Sequence, residues 1–494
     1  MFVDLFFLFA IILLAVISYF TGPPPGIPPG RWGIPFIGCL PKSSETVFQH
    51  IENLRKEYGD IFHVKMGSRL FVVLSEYNIV KTAFTNPNLQ GRPDFYSLGV
   101  YRNFENKGLV FSEGSKWHNV RRFTLRHLRD FGMGKSSMDV TVQDEAKALV
   151  MDLEKNCEDP IELTLSLNCA VINVLWQLVA GCRYDVTDER MTYILKLTND
   201  DFNDIQGNIM ILDMFPALIP LVPRFIKDKY MKLDTMEAGV AIGREFYMEI
   251  IQEHQSTLDP ENPRDYIDTF LMEINAHQDD PDSDYTLENL LVSLDDLFAA
   301  GSETSSSTLR WFVLYMALNP HIQEKVQRII DEVVPQDRLP SIDDRDSLQY
   351  LEAVIHEVHR KSSLVAFGVY HRATQTTKIN NYKIPKDTIV MQNTAHIHND
   401  KAFWEKPDEF YPEHFIGENG RCLTKKDGFL PFSIGRRACL GETLARITLF
   451  IFAAALLQKF KISPPDGEIL TTEPIDNPLL NQVKPYKIVL TKRF

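Results

Sequence analysis

The chain has few cysteines, and no two of them are spaced as a recognisable disulfide or metal-binding pair. Six occur in 494 residues, and no two form a C-x-x-C motif. They are Cys39, Cys157, Cys169, Cys182, Cys422 and Cys439. The sequence therefore indicates neither a disulfide framework nor a zinc site, and a reducing compartment is the simpler interpretation.

Positive charge is also scarce. The chain has 52 Lys and Arg against 66 Asp and Glu, which gives a formal net charge of −14. This balance argues against nucleic acid as the main partner. No internal repeat is recognisable, and the 44% of hydrophobic residues is ample for a packed core.

Only one long apolar run occurs near the N-terminus, from Leu5 to Phe20. Asp4, rather than a basic residue, precedes the run, and no small-residue cleavage site follows it. With Met1–Val3 included, the run reaches the roughly 17 to 25 residues that span a bilayer. We predict that residues 1–21 form a membrane anchor; a cleaved signal peptide is the alternative.

A proline- and glycine-rich segment follows the apolar run. Residues 22–30 contain five prolines and three glycines, so we predict a stiff, extended hinge there. Residues 31–494 would then form one catalytic body. Because the first basic residue, Arg31, follows the run and Asp4 precedes it, we expect this body on the cytoplasmic side.

Most of the body has helical periodicity, with short strand-like patches. Asp60–Leu74 predicts two strands about a turn at Gly67. Val369–Gln392 and Tyr486–Leu490 are the other strand-rich segments. The predicted fold class is therefore mainly α, of the α+β type.

Thr286–Asn319 is the longest predicted helix. Glu288 lies in its first turn and Pro320 stops it. At 1.5 Å per residue it would run about 50 Å, enough to cross a whole domain. Its centre would be buried, yet Ala300–Ser305 is polar.

Four residues at this centre suggest a binding groove. Ala300 and Thr304 share a helix face, and Gly301 lacks side-chain bulk beside them. Glu303 adds an acid next to the Thr304 alcohol. This pattern offers room for a diatomic ligand and a route for protons, although alone it is most often structural.

Cys439 precedes an apolar helical run, Leu440–Phe460. A helix N-terminus favours an anion there, so we expect a lowered pKa for the Cys439 thiol. An isolated cysteine at such a place is usually inert. The complete pattern F-x-x-G-x-R-x-C-x-G around it instead favours a thiolate presented to a metal.

The flanking residues of this pattern suit a flat, acidic partner. Gly435 and Gly441 allow a sharp turn and close backbone approach, because neither has a Cβ. Arg437 supplies a fixed positive charge. Phe432 opens the pattern.

This loop resembles the haem-binding loop of the cytochrome P-450 superfamily, in which the cysteine thiolate is the axial iron ligand. The resemblance implies haem b held by Cys439, with Phe432, Gly435, Arg437 and Gly441 around it. It also implies that Ala300 and Gly301 belong to an oxygen-binding groove, of the form A-G-x-[D/E]-T. Glu303 and Thr304 would help to deliver protons.

Further motifs agree with the resemblance. Trp117 and Arg121, in W-x-x-x-R spacing, and His371 match residues that contact haem propionates. Glu357 and Arg360 form an E-x-x-R pair on one helix face, which is structural in the superfamily; a surface ion pair is the bland alternative. The third group of that structural cluster would be His414, as in the vertebrate family-2 type.

The motifs follow one another in the order found in microsomal family-2-like enzymes, and the chain resembles an invertebrate member. The implied fold is a helical bundle around haem with small β-sheets, preceded by the N-terminal anchor. The implied activity is insertion of one oxygen atom from O₂ into a lipophilic substrate: a steroid, sesquiterpenoid, fatty acid or xenobiotic. Electrons would come from NADPH through cytochrome P-450 reductase, with cytochrome b5 as a second partner, at the endoplasmic reticulum membrane.

Three alternatives remain open from the sequence. A haem-thiolate isomerase or dehydratase would need no electron donor, and the Glu303–Thr304 pair disfavours it. A non-catalytic haem or lipophile sensor would share the fold without consuming NADPH. A membrane-tethered structural protein would bind no haem.

Two surface features are also predicted. Basic residues gather on one predicted helix and near Cys439, where they could dock an acidic electron donor. They are Arg121, Arg122, Arg126, Arg129, Lys425, Lys426 and Arg436. Phe215–Phe225 is apolar but holds three prolines, which predicts either a loop dipping into lipid or a buried connector.

Overall fold

The computed structural model describes residues 22–42, 45–134, 136–475, 477 and 479–494. The predicted anchor, residues 1–21, lies outside the described residues. Within the ranges that the structure describes, no helix is both long and apolar enough to cross a membrane.

Helices dominate the described part of the chain, which agrees with the predicted fold class. In chain order they are α1 (Val47–Tyr58), α2 (Tyr77–Ala83), α3 (Tyr96–Tyr101), α4 (Gly114–Asp130), α5 (Ser136–Leu153), α6 (Thr164–Ala180), α7 (Glu189–Asp204), α8 (Met210–Met214), α9 (Arg224–Met231), α10 (Leu233–Thr257), α11 (Tyr266–Ala276), α12 (Leu287–Leu318), α13 (Pro320–Val333), α14 (Gln349–Ser362), α15 (Thr394–Ile397) and α16 (Glu442–Lys459). Short 3₁₀ turns connect several of them.

The strands of the described residues form one five-stranded sheet and two two-stranded antiparallel sheets. They are β1 (Gly30–Arg31), β2 (Ile61–Met66), β3 (Arg69–Leu74), β4 (His371–Arg372), β5 (Thr377–Ile379), β6 (Tyr382–Ile384), β7 (Ile389–Gln392), β8 (Phe460–Ser463) and β9 (Val489–Lys492). The large sheet has the order β1-β2-β3-β7-β4, with β2 antiparallel and β7 parallel to β3. The predicted turn at Gly67 is confirmed, and the last strand begins three residues and ends two residues beyond the predicted segment.

Helix α12 is the central element. The Thr286 hydroxyl accepts a hydrogen bond from the Asn289 N–H at 3.1 Å and caps its N-terminus, so the predicted bounds are correct to one residue. The helix packs against α6, α10, α14 and α16. The largest apolar core cluster joins these helices, and a second lies under the five-stranded sheet. Helix α16, which follows the segment that holds Cys439, is therefore part of the helical core.

The apolar, proline-containing segment Phe215–Phe225 has no single regular conformation, and it is not buried. Pro216–Leu218 forms a 3₁₀ turn, and α9 begins at Arg224, directly after the third proline. Leu221 and Phe225 are strongly exposed, at 72% and 67%. The buried-connector alternative is wrong for this segment.

Candidate haem-thiolate site

The loop before Cys439 is a tight turn fixed by its own backbone. The Cys439 N–H donates to the Phe432 carbonyl at 2.9 Å, and the Ala438 N–H donates to the Gly435 carbonyl at 3.2 Å. Gly435 has φ +83°, and a Cβ there would lie 2.3 Å from the Phe84 carbonyl oxygen. Only glycine fits this position without strain.

Gly441 differs from Gly435. It is the N-cap of α16 with φ −89°, and a Cβ there would meet no described atom within 4 Å. Its backbone conformation does not require glycine. The missing side chain therefore matters only because it leaves open the space that a Cβ would occupy. That space borders the thiol of Cys439, two residues earlier.

The Cys439 side chain is accessible, although protein surrounds it on most sides. Burial raises the pKa of the Cys439 thiol, while the N–H groups of Gly441 and Glu442 and the charge of Arg121 act in the opposite direction. The expected lowering of this pKa is therefore wrong for the protein alone, because desolvation outweighs the helix N-terminus. A coordinated metal ion would deprotonate a thiol outright.

The centre of α12 has one accessible point. Ala300 is exposed in a helix whose neighbouring turns are mostly buried. The Thr304 hydroxyl donates to the Ala300 carbonyl at 2.8 Å, so the two residues share a face as the sequence predicts. Helix α12, which carries Ala300, packs against α16, the helix that follows Cys439.

Gly301 points toward a neighbouring helix. A Cβ at this position would lie 2.4 Å from the Leu175 Cδ2 atom of α6. The missing side chain therefore lets α6 and α12 approach closely. The structure gives Gly301 a packing contact in addition to the groove role that the sequence suggests.

Glu303 is buried in a polar network. Its Oε1 atom accepts hydrogen bonds from Ser307 Oγ at 2.7 Å, Arg310 Nη2 at 2.5 Å and Gln482 Nε2 at 2.9 Å. Ser307 and Arg310 are four and seven residues further along α12, on the same face. Gln482 comes from the C-terminal segment. The acid is thus held in place by three donors, which the sequence did not predict.

An aromatic and arginine cluster lies beside the loop. The Arg437 guanidinium stacks over the Trp117 ring at 3.7 Å and donates to the carbonyls of Gln90 and Ser112. Two of the cluster's buried donors, Arg437 Nη1 and Trp117 Nε1, have no hydrogen-bond partner in the described structure. Arg121 reaches the loop itself, donating to the Ala438 carbonyl at 2.5 Å.

The electrostatics of this cluster are unfavourable for the protein alone. Burial and the charges of Arg92 and Arg121 lower the pKa of Arg437 to about 8. Burial and Arg121 likewise lower the pKa of Arg92 to about 9. A guanidinium remains charged at neutral pH, so three neighbouring cations are held together in a poorly solvated place.

His371 joins the same cluster. Its Nδ1–H donates to the Leu89 carbonyl at 2.6 Å, and its ring stacks on Phe84 with centroids 3.9 Å apart. Burial, Arg92 and Arg437 lower the pKa of His371 well below its usual value. The ring is therefore neutral, with its second nitrogen left for another partner.

These residues fit a haem group. The unpartnered donors of Arg437 and Trp117, and the excess of positive charge around them, call for acidic groups such as the propionates. The thiol of Cys439 at the end of the fixed loop supplies a soft ligand for iron. Phe432 holds the loop through its carbonyl, and its ring lies under the Arg446 guanidinium at 5.0 Å.

The E-x-x-R pair belongs to a separate, closed cluster. Arg360 forms a two-point ion pair with Glu357, at 2.9 and 2.7 Å, and both side chains are fully buried. The remaining N–H groups of Arg360 donate to the carbonyls of His398, Pro407 and Glu409. His414 Nδ1 lies 3.3 Å from Glu357 Oε2. The three predicted residues are thus brought together, away from the surface.

Sequence reasoning missed Arg92 and the network around Glu303. Arg92 donates to the carbonyls of Val110, Val369 and Tyr370, and nothing in Gly91-Arg92-Pro93 signals these distant contacts. Ser307 and Arg310 could have been found from helical spacing, because both share a face with Glu303.

The predicted basic face is smaller than the sequence suggests. Arg121 and Lys426 are half-buried, and the Lys426 Nζ atom lies over the Trp404 ring at 5.2 Å. The exposed members are Arg122, Arg126, Arg129, Lys425 and Arg436.

Comparison with known proteins agrees with this geometry. A family model described as Cytochrome P450 matches residues 28–490. Cytochrome P450 2L1 of Panulirus argus is 41% identical over 472 residues, covering 95% of this chain and 96% of the relative. Cytochrome P450 2C23 of Rattus norvegicus is 36% identical, with 94% of each chain covered. Cytochrome P450 2C8 of Homo sapiens is 37% identical, with 94% and 93% covered. The chain therefore belongs to the cytochrome P450 family.

Proposed function

We propose that this protein is a haem-thiolate monooxygenase of lipophilic compounds, supplied with electrons from NADPH by a flavoprotein reductase. The balanced reaction is RH + O₂ + NADPH + H⁺ → ROH + H₂O + NADP⁺. The observation that carries the proposal is the pair formed by the fixed Cys439 loop and the adjacent cationic cluster with unpartnered buried donors. A structural tether would need neither.

The roles of the residues follow from their contacts. Cys439 would ligate the iron, while Arg437, Trp117, Arg121 and His371 would bind the propionates and neutralise their charge. Bound haem would supply the activation of O₂ and the transfer of one oxygen atom. Donation from the Gly441 and Glu442 N–H groups to the sulfur would stabilise its negative charge.

Protons are the other requirement of the reaction. Ala300 would leave room for a small ligand, and the Thr304 hydroxyl, which already donates to the Ala300 carbonyl, would offer its oxygen to a proton donor. Glu303, one residue away, would exchange protons with water. The presence of this acid and alcohol favours a monooxygenase over an isomerase, which needs no protons from solvent.

An acidic electron donor would dock on the exposed basic face defined by Arg122, Arg126, Arg129, Lys425 and Arg436. These residues belong to α4 and to the segment before Cys439, so a bound donor would lie near the thiolate side of the haem. Charge complementarity would steer the encounter of an acidic reductase or of cytochrome b5 with this face. The face stands out because the protein as a whole is acidic.

We further propose association with the endoplasmic reticulum membrane, the catalytic body facing the cytoplasm. Ile34, Phe36 and Leu40 are exposed beside the hinge, at 62%, 66% and 49%. Leu221 and Phe225 are exposed after α8. Hydrogen bonds tie these two regions together through the turn at Gly67, which binds the Ile37 carbonyl, and Ser68, which binds the Met214 carbonyl. The two regions would offer exposed apolar side chains to lipid, with the turn at Gly67 and Ser68 between them.

Replacement of Cys439 by serine tests the proposal. The hydroxyl is not ionised at neutral pH, so Cys439→Ser should lose the thiolate type of Soret band in the reduced carbon monoxide complex. Cys422→Ser, which changes a buried cysteine elsewhere, is the matched control and should keep that band. Retention of the band in Cys439→Ser would refute the ligand assignment.

The substrate class can be found by spectral titration. The purified ferric protein would be titrated with testosterone, farnesol, lauric acid and 7-ethoxycoumarin. Tight binding of one compound class would indicate a dedicated biosynthetic enzyme, and weak binding of many would indicate broad detoxification. Product formation without NADPH would instead support the isomerase alternative.

A further inference from the structure

The carboxylate of Glu303 is held in an unusual way. Three donors, Ser307 Oγ, Arg310 Nη2 and Gln482 Nε2, all reach its Oε1 atom. No hydrogen bond among the described residues reaches Oε2. We name Ser307, Arg310 and Gln482 the Glu303 clamp.

The other buried or half-buried glutamates that pair with arginine accept hydrogen bonds on both oxygens, except the more exposed Glu442, whose Oε1 alone accepts one, from Arg446. Arg244 binds Glu288 at the start of α12 with one nitrogen on each oxygen, at 2.7 and 2.6 Å. Arg360 binds both oxygens of Glu357. A two-point pair is the stronger arrangement, so a purely structural role would favour it. In the Glu303 clamp Oε1 accepts all three hydrogen bonds, and no donor of the described part of the chain reaches Oε2.

The clamp is itself fixed to three parts of the fold. Gln482 also donates to Asn199 Oδ1 on α7, at 3.3 Å. Tyr486 donates to the Arg310 carbonyl at 2.6 Å, which ties the C-terminal segment to α12 on the same side. The side chain of Glu303 is only 3% exposed. The carboxylate therefore cannot turn without breaking these contacts, and Oε2 keeps one direction.

We propose that Ser307, Arg310 and Gln482 are positioning residues for proton delivery, which hold Glu303 by Oε1 so that Oε2 can take and give protons beside Thr304. This inference rests on the proposed function. It assigns to the chain a fixed relay point rather than a freely rotating acid, and fixed geometry is what efficient proton transfer needs.

The consequence of losing the clamp is a change in where electrons go. Without substrate, the electrons of NADPH end in hydrogen peroxide, O₂ + 2e⁻ + 2H⁺ → H₂O₂, or in water, O₂ + 4e⁻ + 4H⁺ → 2H₂O. Poor proton delivery favours release at the peroxide stage. The share of electrons recovered as peroxide therefore reports on the clamp without knowledge of the substrate.

The experiment uses the full chain with haem and purified reductase. Arg310→Gln and Gln482→Leu should each raise the ratio of peroxide to water about fivefold, toward the value of Thr304→Ala. They should also increase the solvent deuterium isotope effect on that ratio. Arg310→Lys, which keeps one cationic donor, should recover part of the loss. Arg244→Gln, which breaks the pair with Glu288 on the same helix, should leave the ratio unchanged.

A second measurement does not depend on turnover. Amide hydrogen exchange over residues 479–486 should become faster in Arg310→Gln and Gln482→Leu, but not in Arg244→Gln, because only the clamp ties this segment to Glu303. The thiolate Soret band should persist in every variant, which separates the clamp from haem binding.

The outcomes distinguish the inference from the function on which it rests. An unchanged peroxide ratio in both clamp variants, with a raised ratio in Thr304→Ala, would overturn the clamp and leave the monooxygenase proposal standing. A ratio that rises equally in Arg244→Gln would also overturn it, as a general effect of weakening α12. Absence of the thiolate band from the unmodified protein would refute the proposed function itself. If Arg310→Gln does not fold, Gln482→Leu and Arg310→Lys decide the question.

Discussion

Two buried arginine clusters of this protein are built from similar residues and differ in one respect. Around Arg360, all five N–H groups of the guanidinium have protein acceptors, and Glu357 balances its charge. Around Arg437, two further arginines add positive charge, and buried donors of Arg437 and Trp117 have no partner among the residues that the structure describes.

The difference distinguishes an arginine that stabilises the fold from one that we propose to bind a ligand. Burying an unpaired polar or charged group is costly, so a folded protein normally satisfies each one. The Arg360 cluster is complete within the chain. Among the described residues the Arg437 cluster lacks an anion for its unpartnered donors, which supports the proposal that this cluster lies on the haem side of the molecule.

The largest effect should follow from breaking the closed cluster. Arg360→Leu would leave the buried Glu357 carboxylate unpaired and should lower the free energy of unfolding by about 3–5 kcal/mol. Haem-free and haem-loaded protein should lose similar amounts, measured by denaturant unfolding. A loss confined to the haem-loaded form would place Arg360 in ligand binding and remove the distinction between the clusters.

Arg437→Leu should weaken haem binding while leaving the stability of the haem-free protein nearly unchanged. Each charge-assisted hydrogen bond contributes about 1.5–3 kcal/mol, so the haem dissociation rate should rise at least about tenfold. The haem-free protein should change by less than about 1 kcal/mol, because lost bonds to Gln90 and Ser112 are offset by relief of repulsion from Arg92 and Arg121. Transfer of haem to apomyoglobin measures the rate, and Arg437→Lys is the control that keeps the charge.

The smallest effect is expected from removing a single indole N–H group. We compare Trp117 in the Arg437 cluster with Trp404 in the Arg360 cluster. Trp117→Phe removes an unpartnered donor and should raise the haem dissociation rate by a few-fold, at about 0.5–1.5 kcal/mol for one neutral hydrogen bond. Trp404→Phe removes a donor that already binds the Ile397 carbonyl at 3.0 Å. It should lower the free energy of unfolding and leave haem retention unchanged. The reverse pattern would contradict the comparison.

Local patterns predicted much of the architecture. Glu288 in the first turn and Pro320 as a stop located α12 to one residue, because both signals act within one helical turn. The strand pair about Gly67 was found for the same reason. The five-stranded sheet order could not be read, since it depends on β3 pairing with β7, more than 300 residues later.

The candidate site divides in the same way. Five residues were predicted because they match motifs of the cytochrome P-450 superfamily: Cys439, Arg437, Trp117, Arg121 and His371. The pKa of the Cys439 thiol was predicted in the wrong direction, because the sequence displays the helix N-terminus but not the burial that opposes it. The roles of Arg92 and Gln482 depend on contacts across the fold, for which no local signal exists.

The sequence by itself determined that the chain is mainly helical, that Cys439 lies in a glycine- and arginine-containing loop just before a helix, and that an acid and an alcohol lie at the centre of the longest helix. These are properties of residues near one another along the chain, where periodicity and spacing carry the information. Only the tertiary structure decided which buried arginines are satisfied, and that Glu303 is held by one oxygen. Both depend on donors and acceptors brought together from distant segments, and burial alone makes their pairing matter.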